Sequence, residues 1–127
     1  MPTKVLIVDD EEDIRSYLDS LLSDNGYETV LAEDGEDGYR KLSDFTPDII
    51  ILDIIMPNQT GVGLYRKLKK SGEYKDIPVL VLTGVSSYKD FFNRSHLTLP
   101  RPQAFMEKPF VTEELLNKIE SLVSRKE

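Results

Sequence analysis

Hydrophobic residues fall along this chain in two alternating rhythms. Ile49–Leu52 is apolar at four successive positions. A run apolar at each position, rather than at every second one, suits a strand buried on both faces, and its β-branched isoleucines favour strand over helix. Lys4–Val8 and Ile77–Thr83 read the same way, with Glu28–Ala32 and Gln103–Glu107 as shorter strands. Between them the spacing turns helical. Ile14, Tyr17, Leu18, Leu21 and Leu22 share one face. The acids Asp9 to Asp13 suit that helix's start, and Asn25-Gly26 its end. After a turn at Asp34-Gly35, a weaker helix puts Tyr39, Leu42 and Phe45 inward and breaks at Thr46-Pro47. A loop over Pro57–Gly61 leads to a third helix with Leu64, Tyr65 and Leu68 inward. Arg66, Lys67, Lys69 and Lys70 form its solvated outer face. Thr112 caps the last helix, with Glu113 and Glu114 in its first turn and a stripe of Leu115, Leu116, Ile119, Leu122 and Val123. From Gly84 to Pro102 the pattern is poor. It suits a short helix over Ser86–Arg94 carrying Phe91 and Phe92, then an irregular stretch, since Pro100 and Pro102 flank Arg101.

Strand and helix thus alternate five times, which gives an α/β fold with a parallel sheet covered by helices on both faces. The expected architecture is flavodoxin-like, a doubly wound (βα)5 domain with strand order 2-1-3-4-5. A length of 127 residues suits one domain over 1–127. The net charge of -7 argues against a surface built to grip nucleic acid. The absence of cysteine excludes disulfides and thiolate metal sites. No apolar run is long enough to span a bilayer, and Met1-Pro2-Thr3-Lys4 runs into the first strand without a secretory pattern. A cytoplasmic location, with no membrane partner, fits these features.

The chemistry collects at the carboxyl ends of the strands. The first strand ends at Asp9 and Asp10, the third at Asp53, the fourth at Thr83 and the fifth at Lys108. Singly, each has a plain reading: a turn aspartate, helix-start acids, a strand-end threonine, a solvated lysine. In this topology all five ends meet on one rim, with strands one and three adjacent at the switch point. Three crowded carboxylates call for a hard divalent cation, and oxygen-only ligands suit Mg2+. Asp53 beside such an ion can attack a phosphoryl group and become an aspartyl phosphate. Lys108 and Thr83 are then placed for the phosphoryl oxygens. A Mg2+-dependent phosphohydrolase on a similar sheet would want a general acid two residues after the nucleophile, where this chain has Ile55. No Gly-rich phosphate loop supports a flavin or dinucleotide module, and His96, the one histidine, reads as a surface residue.

The motifs Val8-Asp9-Asp10-Glu11, Asp53-Ile54-Ile55-Met56-Pro57 with Gly61, Leu82-Thr83, and Phe105-Met106-Glu107-Lys108-Pro109-Phe110 occur together. With them the chain resembles the receiver domain of two-component response regulators, of the chemotaxis-regulator kind, over essentially its whole length. The resemblance implies that Asp53 takes a phosphoryl group from a histidine kinase or histidine phosphotransfer protein. It implies that Asp10, Asp53 and the Ile55 backbone carbonyl touch Mg2+, with Asp9 acting mainly through water. It further implies that Thr83 is the switch hydroxyl, that Lys108 binds phosphate, and that the Lys108-Pro109 peptide is cis. Phe105 falls at the aromatic switch position, where the family often has tyrosine, so any switch here works by packing alone. Ile55 and Val85 stand where the family tunes phosphate loss, and both are apolar, which suits a long-lived phosphoryl state. The segment between Thr83 and Lys108 is somewhat longer than the family's usual fourth helix and loop. By resemblance, the surface of the fourth helix, fifth strand and fifth helix reports to a downstream protein or a fused output domain. A phosphorylation-dependent dimer stays open, as does a degenerate receiver that acts only as a protein-binding module. The last residues, Ser124 to Glu127, suit a single-domain regulator or a domain cut from a larger one.

Overall fold

Alternate residues of each strand point to opposite faces of one parallel sheet, and both faces are apolar, which is why a run such as Ile49–Leu52 is buried at each position. The computed structural model describes residues 2–54, 56, 60–84 and 102–124, and of Thr60 and Thr83 the backbone alone. The strands are β1 (Lys4–Val8), β2 (Glu28–Ala32), β3 (Ile49–Leu52), β4 (Val79–Thr83) and β5 (Ala104–Glu107). They are joined by helices α1 (Glu12–Asp24), α2 (Gly35–Lys41), α3 (Thr60–Lys70) and α4 (Thr112–Ser124). The sheet order is β2-β1-β3-β4-β5, with all neighbours parallel, as the alternation of elements predicts. The helix expected over Ser86–Arg94 lies outside the described residues. No helix among them is long and apolar enough to cross a membrane.

Two cores follow from the alternation. Leu6, Val8, Ile50, Leu52, Val79 and Val81 pack against Leu64, Tyr65 and Leu68 of α3 and Leu42 after α2. Val5, Ile7, Ile49, Ile51, Leu80 and Leu82 face the other way, onto Leu18 and Leu22 of α1 and Leu115, Ile119 and Leu122 of α4. Burying each such side chain contributes roughly 1.5–3 kcal/mol, so the central strand β3 is the best-anchored part of the sheet. Its register against β1, Val8 opposite Leu52, is prolonged by a hydrogen bond from the Asp53 amide to the Val8 carbonyl at 2.9 Å. The Asp9 amide likewise donates to the Ala32 carbonyl at 3.2 Å. The sheet therefore delivers Asp9 and Asp53 to the same edge at the same height.

Several local expectations are corrected. Lys69 is not on the solvated face of α3: it is buried, with its Nζ donating to the Lys75 carbonyl at 3.4 Å and lying 5.5 Å from the Tyr65 ring centroid. Burial pushes its pKa down, against the opposing charge of Asp76. Tyr17 is 46% exposed and spans the surface instead, its hydroxyl 2.6 Å from Thr112 Oγ1. Tyr39, 40% exposed, stacks edge-on with Tyr74 at 6.3 Å under the Lys67 ammonium at 4.9 Å. Thr112 is the first residue of α4 rather than its cap. Strand β4 starts at Val79, not Ile77, because Pro78 has no amide to give and the Val79 amide is taken by Gln103 Oε1 at 2.8 Å. Helix α2 is shorter than expected. Beyond Lys41 the amides of Leu42, Ser43 and Asp44 bond three residues back, tightening the chain before Pro47. At its other end Asp34 is the N-cap, accepting from the Asp37 amide at 2.8 Å. Asp34→Ala is expected to lose about 1 kcal/mol in urea unfolding, and an unchanged midpoint would contradict the cap's role. The stop of α1 is as expected: Gly26 sits at φ 88°, where a side chain would be strained, and the Tyr27 amide closes back on Leu22.

Candidate functional site

The site is built around one ammonium. Lys108 Nζ lies 2.7 Å from Asp9 Oδ2, 2.7 Å from Glu11 Oε1 and 3.2 Å from Asp53 Oδ2. The Asp9 and Asp53 side chains are 3% and 5% exposed, whereas Glu11 is 59% exposed. Asp9 is fixed further: its Oδ1 accepts from the Glu11 amide at 2.9 Å, and its carbonyl accepts from Arg15 at 2.7 Å. Lys108 follows directly on β5, so its stem crosses above β4 and β3 to reach the acids, and its peptide to Pro109 is cis. Asp10, next to Asp9, faces solvent.

Charge is unbalanced here. One carboxylate oxygen from each of Asp9, Asp10, Glu11 and Asp53 can be chosen so that all lie within 4.8 Å of one another. Four carboxylates meet one ammonium, with the Arg15 guanidinium held on the Asp9 carbonyl beside them, so negative charge is in excess. The two sides of the ion pair respond differently. Burial alone would pull the Lys108 ammonium down, but Asp9, Glu11 and Asp53 together outweigh it and hold its pKa above the usual lysine range. Burial raises the Asp9 carboxyl, and its single share of Lys108, with the Glu11 amide, does not offset that. The donor set is all oxygen, with no imidazole or thiolate, and fits a hard divalent cation such as Mg2+.

The raised Asp9 carboxyl has a consequence for stability. The folded chain binds that proton more tightly than the unfolded chain, so wild type gains stability as pH falls through the raised folded value towards the ordinary unfolded one. Asp9→Asn is therefore expected to be more stable than wild type at about pH 7 in Mg2+-free buffer, with the difference shrinking towards about pH 4. A variant less stable than wild type at neutral pH would contradict the sign.

Of the residues singled out from sequence, Asp9, Asp10, Asp53 and Lys108 come together. Thr83 ends β4 on the same edge, its Cα paired with that of Glu107. Ile55 and Val85 lie outside the described residues. Phe105 pairs with Val81 and is half-buried, its ring packed on the core side that holds α3. Glu11 and Arg15 were missed. Glu11 read as one helix-start acid among several, and the approach of Lys108 from 97 residues away distinguishes it.

A family model for the response regulator receiver domain matches residues 5–120. The chain belongs to the response regulator receiver domain family. Among curated relatives, the response regulator MprA of Mycolicibacterium vanbaalenii is 35% identical over 125 residues, 98% of this chain and 52% of that protein. MprA of Mycobacterium tuberculosis is 34% identical over the same length. The chain thus spans about half the length of these curated relatives. The crystal structure of the Vibrio cholerae chemotaxis protein CheY4 superimposes with a TM-score of 0.83 at 31% identity, covering 96% of this chain and 99% of that one. The response regulator TrrA of Thermotoga maritima, solved in complex with Mg(2+)-BeF, gives a TM-score of 0.79 at 34% identity, covering 94% and 98%. As a receiver domain, the chain is a signalling part of a two-component system, and its doubly wound sheet is the chemotaxis-regulator fold.

Proposed function

We propose that this receiver domain, one domain over 1–127, is a phosphoacceptor switch in which Asp53 takes a phosphoryl group from a histidine kinase or histidine phosphotransfer protein. The observation that carries this is the Lys108 ammonium bonded at once to two buried carboxylates, Asp9 and Asp53, on the carboxyl ends of adjacent strands. The likeness to TrrA, which was solved with Mg(2+)-BeF, supports it. Asp9, Asp10 and Asp53, with the Ile55 carbonyl, would hold Mg2+, which when bound offsets their crowded charge and that of an incoming phosphoryl group.

An Asp53 carboxylate oxygen attacks phosphorus in line. The O–P bond forms as the P–N bond to the donor histidine breaks, and the freed imidazole nitrogen keeps the electron pair. Lys108, already within 3.2 Å of Asp53, neutralises one phosphoryl oxygen. The Thr83 hydroxyl takes another, and Phe105 follows it by packing. The phosphoryl group favours the active arrangement only through contacts unique to that state, so Thr83 and Lys108 carry the switch to the surface that meets a downstream protein or fused output domain. The domain assists its own phosphorylation and dephosphorylation and turns over no other substrate, and it works in the cytoplasm without touching nucleic acid itself.

Intact mass after incubation with a small acyl-phosphate donor tests this. Wild type is expected to gain one phosphoryl group with Mg2+ and none with a chelator, and Asp53→Asn none in either. Equal gain in Asp53→Asn, or gain without Mg2+, would overturn the proposal.

A further inference from the structure

Helix α3 starts hard against the strand end that carries Asp53. A Cβ at Gly61 would stand 2.4 Å from the Asp53 carbonyl oxygen, 2.7 Å from the Ile54 Cα and 2.9 Å from the Ile54 carbonyl oxygen. All three are backbone atoms, so no rotation of a side chain relieves the crowding. Conformational freedom is not the reason for this glycine, since its φ is not in the left-handed region. Nor does the helix need small residues in general: a Cβ at Gly63 would meet nothing within 4 Å. Gly38 is crowded too, but only by the side-chain tips of Leu64 and Val8, each at 3.2 Å, which can give way.

Something must move when Gly61 gains a methyl group, and the anchoring decides what. On the helix side Val62, Leu64, Tyr65 and Leu68 are buried in the core. On the strand side Asp53 is one residue past the last ladder pair, Val8 with Leu52, and its amide holds the strand end through the Val8 carbonyl. Ile54 is buried in the same core, so both sides are held, and a methyl group has to open the contact between the helix start and the Asp53–Ile54 backbone itself. We infer that Gly61 is a positioning residue: its lack of a side chain lets α3 set the Asp53 carboxylate at its place against Lys108 and Asp9. This rests on the reading of Asp53 as the phosphoacceptor. Misplacing a reacting group by an ångström can cost about a hundredfold in rate.

The test compares Gly61→Ala with wild type, with Gly63→Ala as the same-helix control and Gly38→Ala as a control for lost stability. Folding is checked by thermal unfolding, and the assays are run for all four proteins in an osmolyte that favours the compact state. Gly61→Ala is expected to shift the Asp53 and Lys108 backbone amide resonances, to weaken Mg2+ binding, and to slow phosphoryl uptake about tenfold or more. Both controls are expected to keep wild-type Mg2+ affinity and uptake. The inference is overturned if folded Gly61→Ala keeps the wild-type resonances and uptake, if Gly38→Ala loses uptake to the same degree, or if Gly61→Ala cannot fold even in osmolyte, which would make the glycine a requirement of folding alone. If wild type itself takes up no phosphoryl group, the phosphoacceptor reading fails, while the Asp53 and Lys108 resonances still decide whether Gly61 sets their geometry.

Discussion

Lys108→Ala is expected to slow phosphoryl uptake about a hundredfold and to lower stability in Mg2+-free buffer by about 2 kcal/mol. The two effects have one cause. Lys108 bonds to both Asp9 and Asp53, and both acids are shut away from water. Removing one partner of a buried pair leaves charge without compensation, which costs more than the pair itself is worth. The figure is kept modest because the third bond, to Glu11, lies at the surface, where screening makes ion pairs weak. The rate effect is separate, because in the proposed reaction the ammonium would meet the charge on the transferred phosphoryl group. Adding Mg2+ should distinguish them: it is expected to restore most of the lost stability, by supplying charge to the same acids, and little of the lost rate. Urea unfolding and uptake kinetics, each with and without Mg2+, measure this. Full recovery of both by Mg2+ would mean that Lys108 is only a counter-ion.

The second large effect lies in the sheet. Ile51→Ala is expected to destabilise the protein by about 3–4 kcal/mol, a substantial part of the roughly 5–15 kcal/mol that holds a domain together. Ile51 is 1% exposed, sits in the central strand between Ile7 and Leu80, and faces the core of α1 and α4. A hole there has neighbours on two strands and cannot close by moving one side chain. It is also two residues before Asp53, so the same strand that anchors the fold fixes the proposed acceptor. Urea unfolding checks the magnitude, and a loss under about 1 kcal/mol would show that the centre of the sheet relaxes freely.

The fold was legible because its determinants are local and periodic. Ile49–Leu52 reads as a strand buried on both faces from composition alone, and the alternation with helices leaves few topologies. The site was legible to the extent that topology forces strand ends together: Asp9, Asp53 and Lys108 follow from being last on, or next after, their strands. What sequence left hidden depends on contacts between distant segments. Lys69 stands one turn after Tyr65 on the same side of α3, a phase that its charge masks in the sequence, and the turn at 71–77 supplies the Lys75 carbonyl for its ammonium. Tyr17 has the spacing of a core residue, but the chain leaving β5 offers it Thr112 and Phe110 at the surface instead. Glu11 differs from Glu12 and Asp13 in that its amide meets Asp9 and its carboxylate meets Lys108. Gly61 belonged to a recognisable motif, yet its crowding against the Asp53 and Ile54 backbone is a fact of three dimensions.

The most direct measurement is to find the residue that carries the phosphoryl group. An acyl phosphate is reduced by borohydride to an alcohol, which converts a phosphorylated aspartate to homoserine and marks it permanently for peptide mass mapping. After incubation with a phosphodonor and Mg2+, the account predicts homoserine at Asp53 alone. Conversion at Asp9 or Asp10, or a phosphoryl group that resists borohydride, would contradict it.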